Sequence, residues 1–160
     1  MKAYRIEPGC RLALKRFDPD DTGAYKKNED GKAKAKAAAD ELIATLDQLQ
    51  ERLYANGTHA LLIVLQGMDT SGKDGTIKHV MSGVNPQGCK VVSFKPPSDE
   101  ELSHDFLWRV HQKAPPKGQI GIFNRSHYED VLITRVHGWV SDKVVKRRFN
   151  QIKEFEELLA

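Results

Sequence analysis

The spacing of apolar residues changes several times along the chain, and each change marks an element. Leu42, Leu46, Leu49 and Leu53 recur at steps of four, three and four, with Glu, Asp, Gln and Arg between them. That is one face of an amphipathic helix. The helix is expected from Lys32 onward and should stop at Asn56-Gly57, residues that accept a left-handed backbone. "HALLIVLQ" (59–66) is a continuous apolar run bounded by turn formers, as expected for a strand covered on both faces. Residues 76–81 predict a helix, and "KVVSF" (90–94) and "QIGIF" (119–123) predict two further strands. Ser98 and Glu101 make a capping box that opens "DEELSHDFLWRVHQ", with Leu102, Phe106 and Val110 on one side. Ala114-Pro115-Pro116 closes that helix. Ser141 caps a last helix, 142–160, lined by Val145, Phe149, Ile152, Phe155 and Leu159. Residues 1–31 show no such period. Pro8-Gly9 and the charged, turn-rich "FDPDDTGAYKKNEDG" predict an arm draped on the domain, or disorder. The expected organisation is an N-terminal arm, 1–31, followed by an α/β domain, 32–160. Alternation of strands and helices calls for a parallel sheet flanked by helices.

Composition narrows the class without naming a chemistry. At 160 residues one domain is expected, and a net charge of +3 is too small to require a nucleic-acid partner. The longest apolar run, 60–65, falls far short of the ~20 residues of a membrane span. "MKAYRIEPGC" lacks the apolar core of a signal peptide. Cys10 and Cys89 follow neither disulfide nor metal-ligand patterning, so both are expected as reduced thiols of a cytoplasmic protein, Cys89 as a small apolar filler. Trp108 and Trp139 are expected to pack.

Chemistry enters at "LLIVLQGMDTSGKDGTIKHV" (61–80). Gly67, Gly72 and Lys73 satisfy G-x-x-x-x-G-K, with a strand before the loop and a helix after it. Glycines let the backbone curl so that the N–H groups from Gly67 to Gly72, with Thr70 and Ser71 between, face one anion. The helix N-terminus and the Lys73 ammonium add positive charge. Asp74 stands where a magnesium-binding hydroxyl residue commonly follows the lysine, and Asp69 lies inside the loop. Two bare carboxylates would repel phosphate, whereas a divalent cation between them reverses the sign. Asp69 is therefore read as a metal tether. Asp74 is either a second one or an acidic residue compensating the helix dipole. The third strand runs into "FNRSHYEDVL", and polar groups at the carboxyl ends of strands gather beside such a loop. Arg125 suits bidentate phosphate contact. Asn124, Glu129 and Asp130 join the candidates, the last two for metal or ribose; for His127 and Tyr128 a structural role is at least as well supported. Lys95, at the end of the second strand, is a phosphate contact or a solvated loop lysine.

These segments, together with "YRIEPG", "LKRFDPDDT", "GVNPQGCKVVSFKPPSDEEL", "HDFLWRVHQ" and "KGQIGIFNRSHYEDVL", resemble the polyphosphate kinase type 2 family over nearly the whole chain. The resemblance implies a P-loop kinase-like fold. It also implies transfer of phosphate between inorganic polyphosphate and AMP or ADP (or GMP/GDP), with Mg2+ or Mn2+, in a cytoplasmic homo-oligomer without nucleic-acid or membrane partners. The "SHYED" wording resembles the subgroup that phosphorylates AMP as well as ADP. The match implies metal work for Asp69 and phosphate contacts for Lys73 and Arg125. Asn124 departs from members that carry aspartate there, which moves strand-end metal ligation to Glu129 or Asp130. Family members continue past "FEELLA" into another strand, an arginine-bearing lid and a closing helix. The expected fold is therefore incomplete at its C-terminus, with that strand and the lid missing. The leading mechanism is direct in-line transfer. Its alternatives are a catalytically impaired fragment that only binds polyphosphate or nucleotide, and an ordinary nucleotide hydrolase or nucleoside kinase. A nucleic-acid binder is weaker, because Lys143, Lys146, Arg147 and Arg148 share their helix with Glu154, Glu156 and Glu157.

Overall fold

The computed structural model describes residues 4–7 and 9–160, so the turn predicted at Pro8 lies outside the described residues. The chain divides into two compact units, Met1–Glu41 and Leu42–Ala160. Before its helical end, the described part of the first unit is mostly turns, with a 3-10 turn at Leu14–Arg16. Tyr4 Oη donates to Asp21 at 2.7 Å, and Thr22 Oγ1 donates to the Tyr25 carbonyl at 2.6 Å. Helix α1, Glu29–Asn56, opens three residues earlier than its apolar period suggested. Asn28 explains the start: its side chain accepts the Gly31 N–H at 2.8 Å, satisfying a donor that the first helical turn leaves open.

In the second unit, strands β1 (Leu61–Leu65), β2 (Cys89–Ser93) and β3 (Ile120–Asn124) form a parallel sheet in the order β1-β3-β2. The last strand in sequence is central, and Leu65 and Ser93 both stand level with Asn124. Apart from Asn124, β3 is buried throughout, as a strand with neighbours on both edges requires. Gly121 is needed there, because a Cβ would meet the Pro115 ring at 2.9–3.0 Å. Phe94, Val110, Phe123 and Phe155 form one core, with the Phe94 and Phe123 rings edge to face at 4.8 Å. Val131, Val145 and Ile152 form a second core under helix α6 (Asp142–Leu159), which follows the single-turn α5 (Ile133–Val136). Ser141 caps that helix by accepting the Val144 N–H.

Four details of the expected pattern change. Along the leucine-bearing part of α1 the covered positions include Ile43, Leu46, Gln50 and Leu53, while Leu42 and Leu49 are more than half exposed. Gln50 is buried against Gly88, where a Cβ would fall 1.7 Å from its amide nitrogen, so a polar residue fills a position the leucine count passed over. The single helix expected after Ser98 is two short ones, α3 (Asp99–Leu102) and α4 (Trp108–His111). Ser103 Oγ donates to the Glu100 carbonyl at 2.7 Å, and Asp105 accepts the Leu107 N–H at 3.0 Å. These local bonds end one helix and start the next. On α6, Val145, Ile152 and Phe155 are buried, but Phe149 and Leu159 are exposed. Trp139 is 69% exposed, stacked on His137 rather than packed in the core.

Candidate functional site

Parallel strands deliver their carboxyl ends to one edge, and three of those ends build the site. The first is the loop after β1. Its backbone turns at Thr70 (φ 64°) and Gly72 (φ 88°), and the Thr70 hydroxyl donates to the Asp69 carbonyl at 2.6 Å. Gly67 faces Ser71 so closely that a Cβ would sit 2.7 Å from Ser71 Oγ. Lys73 opens helix α2 (Lys73–Val80), and its ammonium folds back over the loop onto the Gly67 and Met68 carbonyls at 2.8 and 2.7 Å. The second end is Ser93-Phe94-Lys95-Pro96 after β2. The third is Asn124-Arg125 after β3, where Arg125 takes a positive φ of 61° and its N–H donates to the Leu65 carbonyl at 3.0 Å.

These ends enclose a cavity of about 460 Å³. It is lined by Asp69, Thr70, Ser71, Gly72, Lys73, Asp74 and Gly75 from the first end, by Ser93, Phe94, Lys95 and Pro96 from the second, and by Asn124 and Arg125 from the third. Three cations and two carboxylates therefore share one opening. Arg125 pairs with the exposed Asp69 carboxylate, and Asn124 Nδ2 donates to Asp74 at 2.5 Å. Both carboxylates are thus engaged by the strand-end motif, across 50 and 56 residues of sequence.

The sequence places Glu129 and Asp130 in the same motif, but the structure does not bring them to the cavity. After Arg125 the chain winds into a 3-10 turn, His127–Asp130, which carries both away from the opening. Glu129 accepts a short hydrogen bond from Gln66 Nε2, whose Oε1 accepts from the buried Ser126 hydroxyl at 2.9 Å. Asp130 lies between Arg148 at 3.7 Å and Arg109 at 4.0 Å. Burial raises its pKa despite both guanidinium groups. Neither carboxylate lines the cavity that Asp69 and Asp74 share. Gly67 contributes through its carbonyl rather than by lining the cavity. His127 is fully buried and meets Glu156 at 3.1 Å; Tyr128 Oη donates to the same carboxylate at 2.7 Å. Burial, then Glu156, pushes the Tyr128 phenol up to about 12. Both residues tie the motif to α6.

Sequence reasoning passed over Gln66 and Arg109. Gln66 had a usable signal: a polar residue ending an apolar strand just before a phosphate loop. Arg109 had none, since its partners lie on three separate segments.

A Gly-rich loop between a parallel strand and a helix, faced by an arginine from the neighbouring strand end, defines a P-loop kinase-type α/β domain. The chain belongs to the polyphosphate kinase 2 family, whose pattern matches residues 26–160. It is 54% identical, over its whole length and 59% of the relative, to the AMP/ADP-polyphosphate phosphotransferase of Meiothermus ruber. It is 52% identical to the ADP-polyphosphate phosphotransferase of Rhodopseudomonas palustris, over 85% of this chain and 46% of that one. The crystal structure of polyphosphate kinase 2 from Arthrobacter aurescens TC1 superposes with a TM-score of 0.89 at 43% identity, covering 99% of this chain and 56% of the other. The chain thus spans about half the length of the curated relatives it matches. Among the described residues no helix is long and apolar enough to cross a membrane.

Proposed function

We propose that this chain carries the phosphate-transfer site of a polyphosphate:nucleotide phosphotransferase acting on AMP or ADP. The observation that carries the reading is the convergence of Lys73, Arg125, Asp69 and Asp74 on one cavity. Relatives named for transfer between polyphosphate and AMP, ADP or GDP support the substrate class. Phosphoryl transfer asks a protein for positioning and charge neutralisation. Lys73 would neutralise the phosphates seated on the loop, whose N–H groups fix their orientation. Arg125 would grip a neighbouring phosphate in its planar fork and stabilise charge on the group in flight. The transfer would be in line, with no covalent intermediate on the protein.

A divalent ion fits the donor set. Among the described residues no three His, Cys, Asp or Glu side chains are grouped to hold a metal by protein alone. Two carboxylates at the cavity match Mg2+ or Mn2+, which take one or two carboxylates and fill the remaining positions with phosphate oxygens and water. Asp69 and Asp74 would hold it, and when bound it would neutralise charge shared by donor and acceptor phosphates. Asp74, at the first turn of α2, also opposes the helix dipole. A cytoplasmic location and self-association belong to the same proposal, on the family's precedent.

The test is to incubate the chain with polyphosphate, Mg2+ and either AMP or ADP, and to resolve the nucleotides by chromatography. ADP from AMP and ATP from ADP are expected. A second reading is that these residues bind polyanion without transferring phosphate. Tight tripolyphosphate binding with no product would favour it, and failure to bind would overturn both.

A further inference from the structure

The cavity wall carrying Lys95 is built from a loop with little packing of its own. From Lys95 to Ser98 it includes Pro96 and Pro97 and is largely exposed. One buried side chain clasps it. Arg109, 8% exposed on α4, donates from Nη1 to the Lys95 carbonyl at 2.9 Å and lies 3.4 Å from Glu101 Oε2. That same Glu101 oxygen accepts the Ser98 N–H at 2.9 Å in the capping box, so one end of the loop is held by the guanidinium directly and the other through Glu101. Its other terminal nitrogen, Nη2, faces Asp130 at 4.0 Å, and Cζ lies 5.4 Å from the centre of the Phe94 ring, a second cavity residue. Asp130 is in turn held by Arg148, which donates to the Asp130 carbonyl at 2.7 Å.

We infer that Arg109 is a positioning residue for the phosphate site, setting the direction of Lys95 by holding its carbonyl against the Asp130 end of the strand-end motif. The inference rests on the phosphate-site reading above. A fixed Lys95 carbonyl fixes the peptide plane beside its Cα. Pro96, joined to that same carbonyl, restricts the Lys95 backbone to extended conformations, so the lysine stem leaves a defined point. An unclasped loop would still present the ammonium, but spread over many directions, and ordering it would cost affinity on binding. Lysine cannot replace the arginine, because one ammonium cannot spread to three acceptors in a planar fork.

The experiment compares tripolyphosphate affinity by calorimetry, with Mg2+ present, for the unaltered chain, Arg109→Lys, Arg109→Met, Lys95→Ala and Arg109→Lys with Lys95→Ala. Folding is followed by circular dichroism. Arg109→Lys is expected to weaken binding about tenfold, within the range by which supporting residues modulate a site. In the Lys95→Ala background the same change is expected to have no further effect. Arg109→Met, which keeps apolar bulk but loses the fork, should match Arg109→Lys. Should either arginine variant fail to fold, Glu101→Gln, which weakens one contact of the clasp, is expected to lower affinity about threefold, again only when Lys95 is present. Undiminished binding by folded Arg109 variants, or an equal loss with and without Lys95, overturns the inference alone. No binding by the unaltered chain overturns the phosphate-site reading and this inference with it.

Discussion

Replacing Asp69 by Asn should change tripolyphosphate affinity in opposite directions with and without a divalent ion. The Asp69 carboxylate stands at the cavity that Lys73 also lines, and it is paired to Arg125. Without a metal it would repel an incoming phosphate and occupy the guanidinium proposed to grip it. Two unit charges 4 Å apart interact by about 1 kcal/mol in water and about 4 kcal/mol at an effective dielectric of 20. Asp69 is 80% exposed, so solvent screening selects the smaller figure. Removing that repulsion should strengthen binding about fivefold in EDTA, at 1.4 kcal/mol per factor of ten. With Mg2+ the sign reverses. Losing a carboxylate ligand costs at least as much as losing a partner that orients one, about ten- to a hundredfold in metal affinity, so the variant should bind more weakly than the parent. Isothermal calorimetry of both proteins in both buffers measures the crossing directly. A change in the same direction in both buffers would refute the metal-tether argument, whatever its size.

Asp74→Asn, which can still accept from Asn124, should give a smaller loss in Mg2+ than Asp69→Asn; an equal or larger loss in the same titration would make Asp74 the principal tether. Gly72→Ala puts a side chain at φ 88° with no atom in its way, so the cost is backbone strain alone, about 1–2 kcal/mol. Tripolyphosphate affinity is expected to fall while chemical denaturation moves by no more than that strain. Gly121→Ala drives a Cβ into the Pro115 ring on the central strand and should cost about 1–3 kcal/mol, read as a lowered urea midpoint with unchanged slope. Tyr128, its phenol raised to about 12, contributes stability that is complete below the ordinary tyrosine pKa near 10 and is lost as pH climbs through about 12. An absorbance titration at alkaline pH should show a late-ionising tyrosine, and Tyr128→Phe should remove that step while it flattens the loss of stability between those pH values.

Much of this molecule could be read along the chain because the informative signals are local. The β1 run, the Gly67–Lys73 spacing, the Ser98–Glu101 capping box and the Ser141 cap each depend on neighbours within a few residues, and each has its expected element in the structure. Convergence of Asp69, Lys73, Lys95, Asn124 and Arg125 also followed from one rule, that parallel strands present their carboxyl ends together. What escaped was direction. "RSHYED" reads as a row of equivalent polar groups, but one positive φ at Arg125 and the 3-10 turn after it send Arg125 to the cavity and Asp130 toward Arg109 and Arg148. The break at Ser103–Asp105 escaped for a similar reason. Short side chains there bond to nearby backbone in competition with the helix, and apolar spacing carries no record of that competition. Leu42 and Leu49 satisfied the helical period yet face outward, because Ile43 and Gln50 hold the covered positions.

The bond from the Arg125 amide to the Leu65 carbonyl continues the β1–β3 ladder one rung past the strands. The two arms that would grasp phosphate are thus rooted on adjacent rails of one rigid frame, and their spacing at the root is inherited from the pitch of a parallel sheet. A slip of β1 by one residue would flip its side chains between faces and shift the loop against Arg125 by about 3.3 Å, more than a hydrogen bond tolerates. Alignment of the pocket and correct pairing of the strands are therefore a single event in folding, and a chain that pairs them wrongly has no pocket to offer.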